Sequence, residues 1–338
     1  MSPHRKRPLG RVCLMALALA ALFLLSFVWG RYDVPLGEVV RILLSRLFPL
    51  TQTWTDNMAI AVHNVRLPRI LMACLVGCAL SAAGASYQTV FQNPMAAPDI
   101  LGAASGACFG AALAILLGQG SVMTTIFAFC FSLLTVVLVY LIGSRTRGSR
   151  VVSILLAGIM VGSLFSAGTS YIKLVADPTN QLPQITYWLM GSLSSIKAED
   201  VRFLVLPVAV GLLPLFLLRW RMNLLTVGEE EAQSMGVRTG VLRLVVILCA
   251  TLLTAASVAV SGMIGWVGLV IPHLSRRIVG NDCRYLLPMS MVFGAGFLLL
   301  VDDLARCLTA VEIPIGILTA FVGAPFFVYL MVKGEDRL

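Results

Sequence analysis

The 338-residue chain reads as an all-α, polytopic membrane protein with about ten spans. Three observations carry that reading. Hydrophobic residues make up 59% of the chain and charged residues 12%, about half the roughly 25% of a soluble domain. Mean hydropathy is +0.92. Apolar runs recur along the whole length, many of them near the ~20 residues that a helix needs to cross a bilayer. Little is left for a second unit, so residues 1–338 are expected to form a single transmembrane domain.

The first apolar run, 12–29, follows His4, Arg5, Lys6, Arg7 and Arg11. A signal peptide has the same order of charge and apolar stretch, but this run is long and no small-residue cleavage site closes it. An uncleaved first span with a cytoplasmic N-terminus is expected. The later runs are 67–87, 100–117, 123–142, 151–175, 201–218, 242–260, 264–274, 286–304 and 313–331. With the N-terminus inside, the loop RTRGSR at 145–150 also falls inside, and so do Arg219, Arg221 and Lys333. That is the excess of Lys and Arg expected of cytoplasmic loops, with both termini inside.

Arg238 and Arg243 begin the seventh run inside, and Arg276, Arg277 and Arg284 also fall inside. The chain between them must go out and come back. At about 1.5 Å per residue it barely reaches. It also holds Gly262, Gly265, Gly268 and Pro272. One full crossing and a short, broken return are expected, the irregular backbone facing protein or a water-filled cavity. Gly102, Gly106 and Gly110 form one row of small residues, and Gly158 and Gly162 another. Such rows let helices approach closely, either within one subunit or across a dimer.

Composition excludes several functions. No G-x-x-x-x-G-K-[ST] loop occurs, so ATP hydrolysis is not expected of this chain, nor any cofactor bound to it. The net charge of +9 reflects basic loops rather than nucleic-acid binding. Cys13, Cys74, Cys78, Cys108, Cys130, Cys249, Cys283 and Cys307 are scattered with no C-x-x-C. They read as small packing residues, not as a disulfide framework or a metal site.

The most informative loop is 226–236, TVGEEEAQSMG. Thr226 and Glu229 fit a capping box, the acids crowd a first turn and Gly236 suits the position just past a helix. A short helix over about 227–236 is expected, too short to be stable alone, so the protein body or a partner must hold it. Arg66 and Arg69 lie at the outer end of the second span, and Arg306 on the same side after the ninth. They either snorkel to headgroups or form a patch for carboxylates of an external partner. The turn 92–99, QNPMAAPD, is an inner turn by spacing alone. Its sharper reading makes Asn93 and Met95 a plug at the inner mouth.

Asp302 and Asp303 stand near the outer end of the ninth span with Arg306 at helix-neighbour spacing, so a structural ion pair competes with a functional one. Glu312 precedes the last span. Residues 185–194, with Tyr187, Trp188 and Met190, suit an interfacial or gate-lining helix. His63 and His273 are single and far apart, and no catalytic cluster is visible.

Together these segments resemble the FecCD family, permease subunits of type II ABC importers for iron–siderophores, haem and vitamin B12. The likeness rests on RLPRILMACLVGCALSAAGASYQTVFQNPMAAPDILGAASGA at 66–107, GEEEAQSMGV at 228–237, SGMIGWVGLVIPHLSRRIVG at 261–280 and EIPIGILTAFVGAPFFVYL at 312–330. It implies ten spans per subunit in the cell (inner) membrane and a homodimer around a central path. It also implies a pair of ATPase subunits inside, which hold ATP and Mg, and a periplasmic or lipid-anchored solute-binding protein outside. Gly228, Glu229, Glu230, Glu231, Ala232, Gln233, Ser234, Met235 and Gly236 match the helix that seats in the ATPase. Arg66, Arg69 and Arg306 match arginines that meet glutamates of the binding protein. Asn93 and Met95 match one inner gate, where the family often has Leu in place of Met95, and Ser149 and Val151 fall in the other. An ion-driven secondary transporter is the alternative; that class places ionisable groups at the midplane, whereas the acids here stand near the edges.

Overall fold

The computed structural model describes residues 8–332 apart from 31, 47, 50, 147–149 and 227–228, with backbone only at 150, 151, 229, 230, 233, 330 and 331. His4, Arg5, Lys6, Arg7 and Lys333 lie outside the described residues. The described chain is helical, without strands. Seven helices are long and apolar enough to cross a membrane: α1 (Pro8–Ser26), α4 (Leu67–Val90), α6 (Ser121–Arg145), α7 (Arg150–Val175), α9 (Ala198–Met222), α11 (Thr239–Ser261) and α13 (Cys283–Cys307). Three shorter ones complete the bundle: α5 (Ala103–Leu116), α12 (Val267–Val279) and α14 (Ile315–Val332). The expected all-α polytopic architecture is what folds.

α4 is the centre. Its spanning window is 78% buried, against 6% for α1. It packs on α13, α11, α12 and α9, while α1 lies outside on α13. Small residues make that centre possible, because helices in a bilayer gain by close approach rather than by hydrophobic exclusion. A Cβ on Gly77 would stand 2.2 Å from the Gly294 carbonyl oxygen of α13, and one on Gly84 1.7 Å from the Gly268 carbonyl oxygen of α12. Backbone cannot yield as a side-chain tip does. Gly84→Ala is therefore expected to destabilise the fold by about 3 kcal/mol. Gly296→Ala, whose new methyl finds Leu19 at 3.7 Å, should leave the thermal midpoint in detergent unchanged. Equal midpoints for the two variants would refute this packing.

The glycine rows pack inside the subunit. Gly106 and Gly110 lie against Thr135, Phe131 and Phe127 of α6, and Gly102 against Gly158 and Gly162 of α7. The broken return is present. α11 crosses in full, 262–266 is non-helical, and α12 returns in 13 residues. One end of this break is tied by main chain, where Ser192 N donates to Ser261 O at 2.8 Å, and the neighbouring Gly191 O accepts from Ile315 N at 2.9 Å. Such bonds satisfy irregular backbone where lipid could not.

Between α1 and α4 the chain adds α2 (Leu36–Leu44) and α3 (Asp56–Ile60). α2 buries Val39 and Ile42 and exposes Leu36, Val40 and Leu44. A π-helical turn, Ala61–Arg66, joins α3 to α4. Pro68 lacks an N–H and its ring crowds the carbonyl four residues back, so the ladder widens there and Leu67 N bonds Val62 O instead. The helix expected within 185–194 forms earlier, as α8 (Gln181–Leu189), and buries Ile185. α10 (Glu229–Ser234) links α9 to α11.

Candidate functional site

The chemistry-bearing residues gather at the two ends of the bundle. At one end stands α10, a helix of 6 residues. Nothing that short is stable in water. It is pinned by Ala232, which is fully buried, and packs on α11 and on the 3-10 turn Asn223–Thr226. Val237 N donates to Ala232 O at 3.2 Å and Gly236 has φ +80°, the left-handed stop that suits glycine. Glu231, Ser234 and Met235 are exposed. The Thr226 hydroxyl donates back to Asn223 O at 2.6 Å. Gly228 lies outside the described residues, as do the side chains of Glu229, Glu230 and Gln233.

The 3-10 turn is itself anchored. Asn223 Nδ2 donates to Asp282 at 2.8 Å, and Asn223 Oδ1 accepts from Cys283 N at 2.7 Å. Asp282 caps the start of α13. Hydrogen bonds from the Arg284 guanidinium, then the Arg284 backbone N–H and the Asn223 amide, hold its carboxyl down at about 2. It therefore stays ionised, and the anchor intact, at any physiological pH.

The turn 91–97 stands beside this anchor. Asn93 Oδ1 accepts from Met95 N at 2.8 Å, and Ala96 N closes on Asn93 O at 3.0 Å. Asn93 thus shapes the turn, and Met95 projects with 48% of its surface exposed. Gln88 and Gln92 fasten the turn on both sides. Gln88 donates to Leu269 O of α12 at 3.2 Å and accepts from Arg276. Gln92 donates to Leu225 O in the 3-10 turn. Sequence reasoning missed both glutamines. For Gln88 the available signal was an amide placed on an otherwise apolar, buried helix, where it must find a partner; Gln92, exposed just past the end of that helix, offered none. Ser149 lies outside the described residues; Val151 opens α7, with its side chain undescribed.

At the other end Arg66, Arg69 and Arg306 are 4%, 5% and 7% exposed. They point inward. Arg69 Nε reaches Asp302 at 2.9 Å and its Nη1 reaches Glu312 at 2.8 Å. Arg306 Nε lies 3.3 Å from Asp302, and its guanidinium also bonds Asp303. Ser26 donates to Asp303 at 2.5 Å. Arg66 donates to the carbonyls of Phe27 and Tyr32. One cluster thereby joins α1, α4, α13 and the entry to α14. An external carboxylate would meet guanidiniums already engaged within the chain, with Glu312 as the most exposed acid among these partners. His63 and His273 lie on separate elements, and no metal-binding group of His, Cys, Asp or Glu occurs among the described residues. All eight cysteines are free.

The FecCD transport family model matches residues 18–333. The chain belongs to that family. It is an ABC-transporter permease. The molybdate import system permease protein MolB of Haemophilus influenzae is 39% identical, covering 94% of each chain. An iron chelatin transport system permease of Helicobacter pylori is 36% identical, over 94% of this permease and 97% of that protein. A solved metal-chelate type ABC transporter in an inward-facing conformation superposes with a TM-score of 0.85 at 37% identity, covering 96% of this permease and 99% of that chain.

Proposed function

We propose that the permease carries a metal chelate, an iron–siderophore first, from a solute-binding protein into the cytoplasm. It works as half of a homodimer in the cell membrane with both termini cytoplasmic, driven by two ATPase subunits that bind ATP and Mg. The observation that carries this reading is α10, a short acidic helix at one end of the bundle, with Ala232 buried and Met235 left bare beside it. Such an element is made to be gripped from outside. In the proposed cycle the ATPase moves α10, and the turn bearing Asn93 and Met95 opens or closes the inner mouth. The binding protein docks at the end that holds Glu312, the most exposed acid on the cluster of Arg66, Arg69 and Arg306.

The test is uptake into proteoliposomes that contain the permease with or without the ATPase, using ligand identified on the co-purified binding protein. Accumulation only with ATPase and ATP is expected, with a ferric siderophore as the identified ligand. Bound haem, cobalamin or molybdate would overturn the cargo. Accumulation by the permease alone on a proton or sodium gradient would overturn the whole reading.

A further inference from the structure

Two non-glycine residues among those described have positive φ, and one of them is Gln92 at φ +49°. A left-handed residue with a Cβ costs about 1–2 kcal/mol. Glycine would remove that strain. The main chain holds this conformation as a left-handed helix stop, Asn93 N closing on Gln88 O at 3.2 Å, and the Gln92 amide adds a tie to the Leu225 carbonyl, 133 positions away in sequence. Leu225 is buried in the 3-10 turn that leads into α10. The next residue, Asn93, forms the projecting turn with Met95.

From this juxtaposition we infer that Gln92 is a positioning residue that transmits movement of α10 to the inner turn. The inference rests on the coupling role proposed for α10. α10 packs against the 3-10 turn, and the 3-10 turn is bonded through Leu225 to Gln92. Displacing the turn pulls on a residue already held off its preferred backbone basin. Release frees the turn at 93–95 from the 3-10 turn, whereas the closure of Asn93 N on Gln88 O, with Gln88 bonded to α12, holds the end of α4 still. The strained residue thus acts as the soft joint between two anchored parts. One side-chain hydrogen bond ties that joint to the 3-10 turn.

The isosteric variant isolates that bond. Gln92→Glu keeps the shape but offers a carboxylate to a carbonyl, and two acceptors cannot pair. Gln92→Lys restores a donor. The experiment is hydrogen–deuterium exchange on the full permease–ATPase complex, comparing ADP with ATP plus vanadate. In the wild type, exchange should change with nucleotide in both 231–237 and 91–97. In Gln92→Glu the first response should persist and the second fall at least threefold. Gln92→Lys should recover most of it. A merely structural role would shift exchange in 91–97 equally in both nucleotide states. An undiminished nucleotide response of 91–97 in Gln92→Glu overturns the inference, as does a wild-type turn that never responds. A silent 231–237 in the wild type overturns the coupling role of α10 itself, and this inference with it.

Discussion

Met235→Asp is expected to cut ATP-driven uptake by the reconstituted complex more than tenfold, with the permease itself still folded. Met235 is 61% exposed at the end of α10, where the helix has already closed through Val237 N and Ala232 O. It therefore contributes little to the fold. Seated in a partner's cleft, a methionine side chain is worth about 1.5–3 kcal/mol of apolar burial. Aspartate forfeits that term and adds a charge that the cleft would have to desolvate. Each 1.4 kcal/mol is a factor of ten in affinity, so the ATPase should dissociate at working concentrations. Gly236→Ala gives a graded companion. Its methyl would meet nothing within 4 Å, but φ is +80°, so the cost is backbone strain of about 1 kcal/mol. A loss of about fivefold is expected for it. Pull-down of the ATPase, uptake and the thermal midpoint of the isolated permease separate binding from folding. Uptake by Met235→Asp within twofold of the wild type would remove α10 as the contact.

Which parts were legible in the sequence follows from the range of the forces involved. Spans such as α6 and α13 are written locally, as about twenty apolar residues between charges. The broken return at 262–266 was legible because geometry left too few residues for two full crossings. The glycine rows were readable as close contacts, but the partner was not. Nothing local tells Gly102 that it meets Gly158 rather than a second subunit. α2 escaped notice because nine residues with two buried side chains, Val39 and Ile42, make too weak a pattern against the long runs around it. The FecCD motifs placed α10 and the inner turn, yet Gln92 and Leu225 are joined by folding alone. Arg306 was readable, since Asp302 and Asp303 stand at helix spacing from it and pair with it. Arg69 shows the same limit as Gln92: Asp302 lies 233 positions away, so their pairing could not be read.

The pairing of Arg69 with Asp302 makes it a large term in stability. Arg69→Met should destabilise the permease by about 3–5 kcal/mol, the usual cost of leaving a buried charge without its partner. Asp302 is fully buried and would keep only Arg306, 3.3 Å away and already shared with Asp303. Glu312, at the entry to α14, would lose its tether to α4. Thermal unfolding in detergent reads the loss, and Arg69→Met with Asp302→Leu reads its cause. If the penalty comes from an orphaned carboxylate, removing that carboxylate should recover at least half of it, because a well-packed apolar pair often replaces a buried ion pair at little cost. If Arg69 serves chiefly to receive an external carboxylate, the outcome differs in kind: Arg69→Met would keep the wild-type midpoint and lose uptake only at limiting binding protein. The inward orientation of all three guanidiniums, with Glu312 among their partners, favours the first outcome and makes the cluster a clasp on one end of α1, α4, α13 and α14.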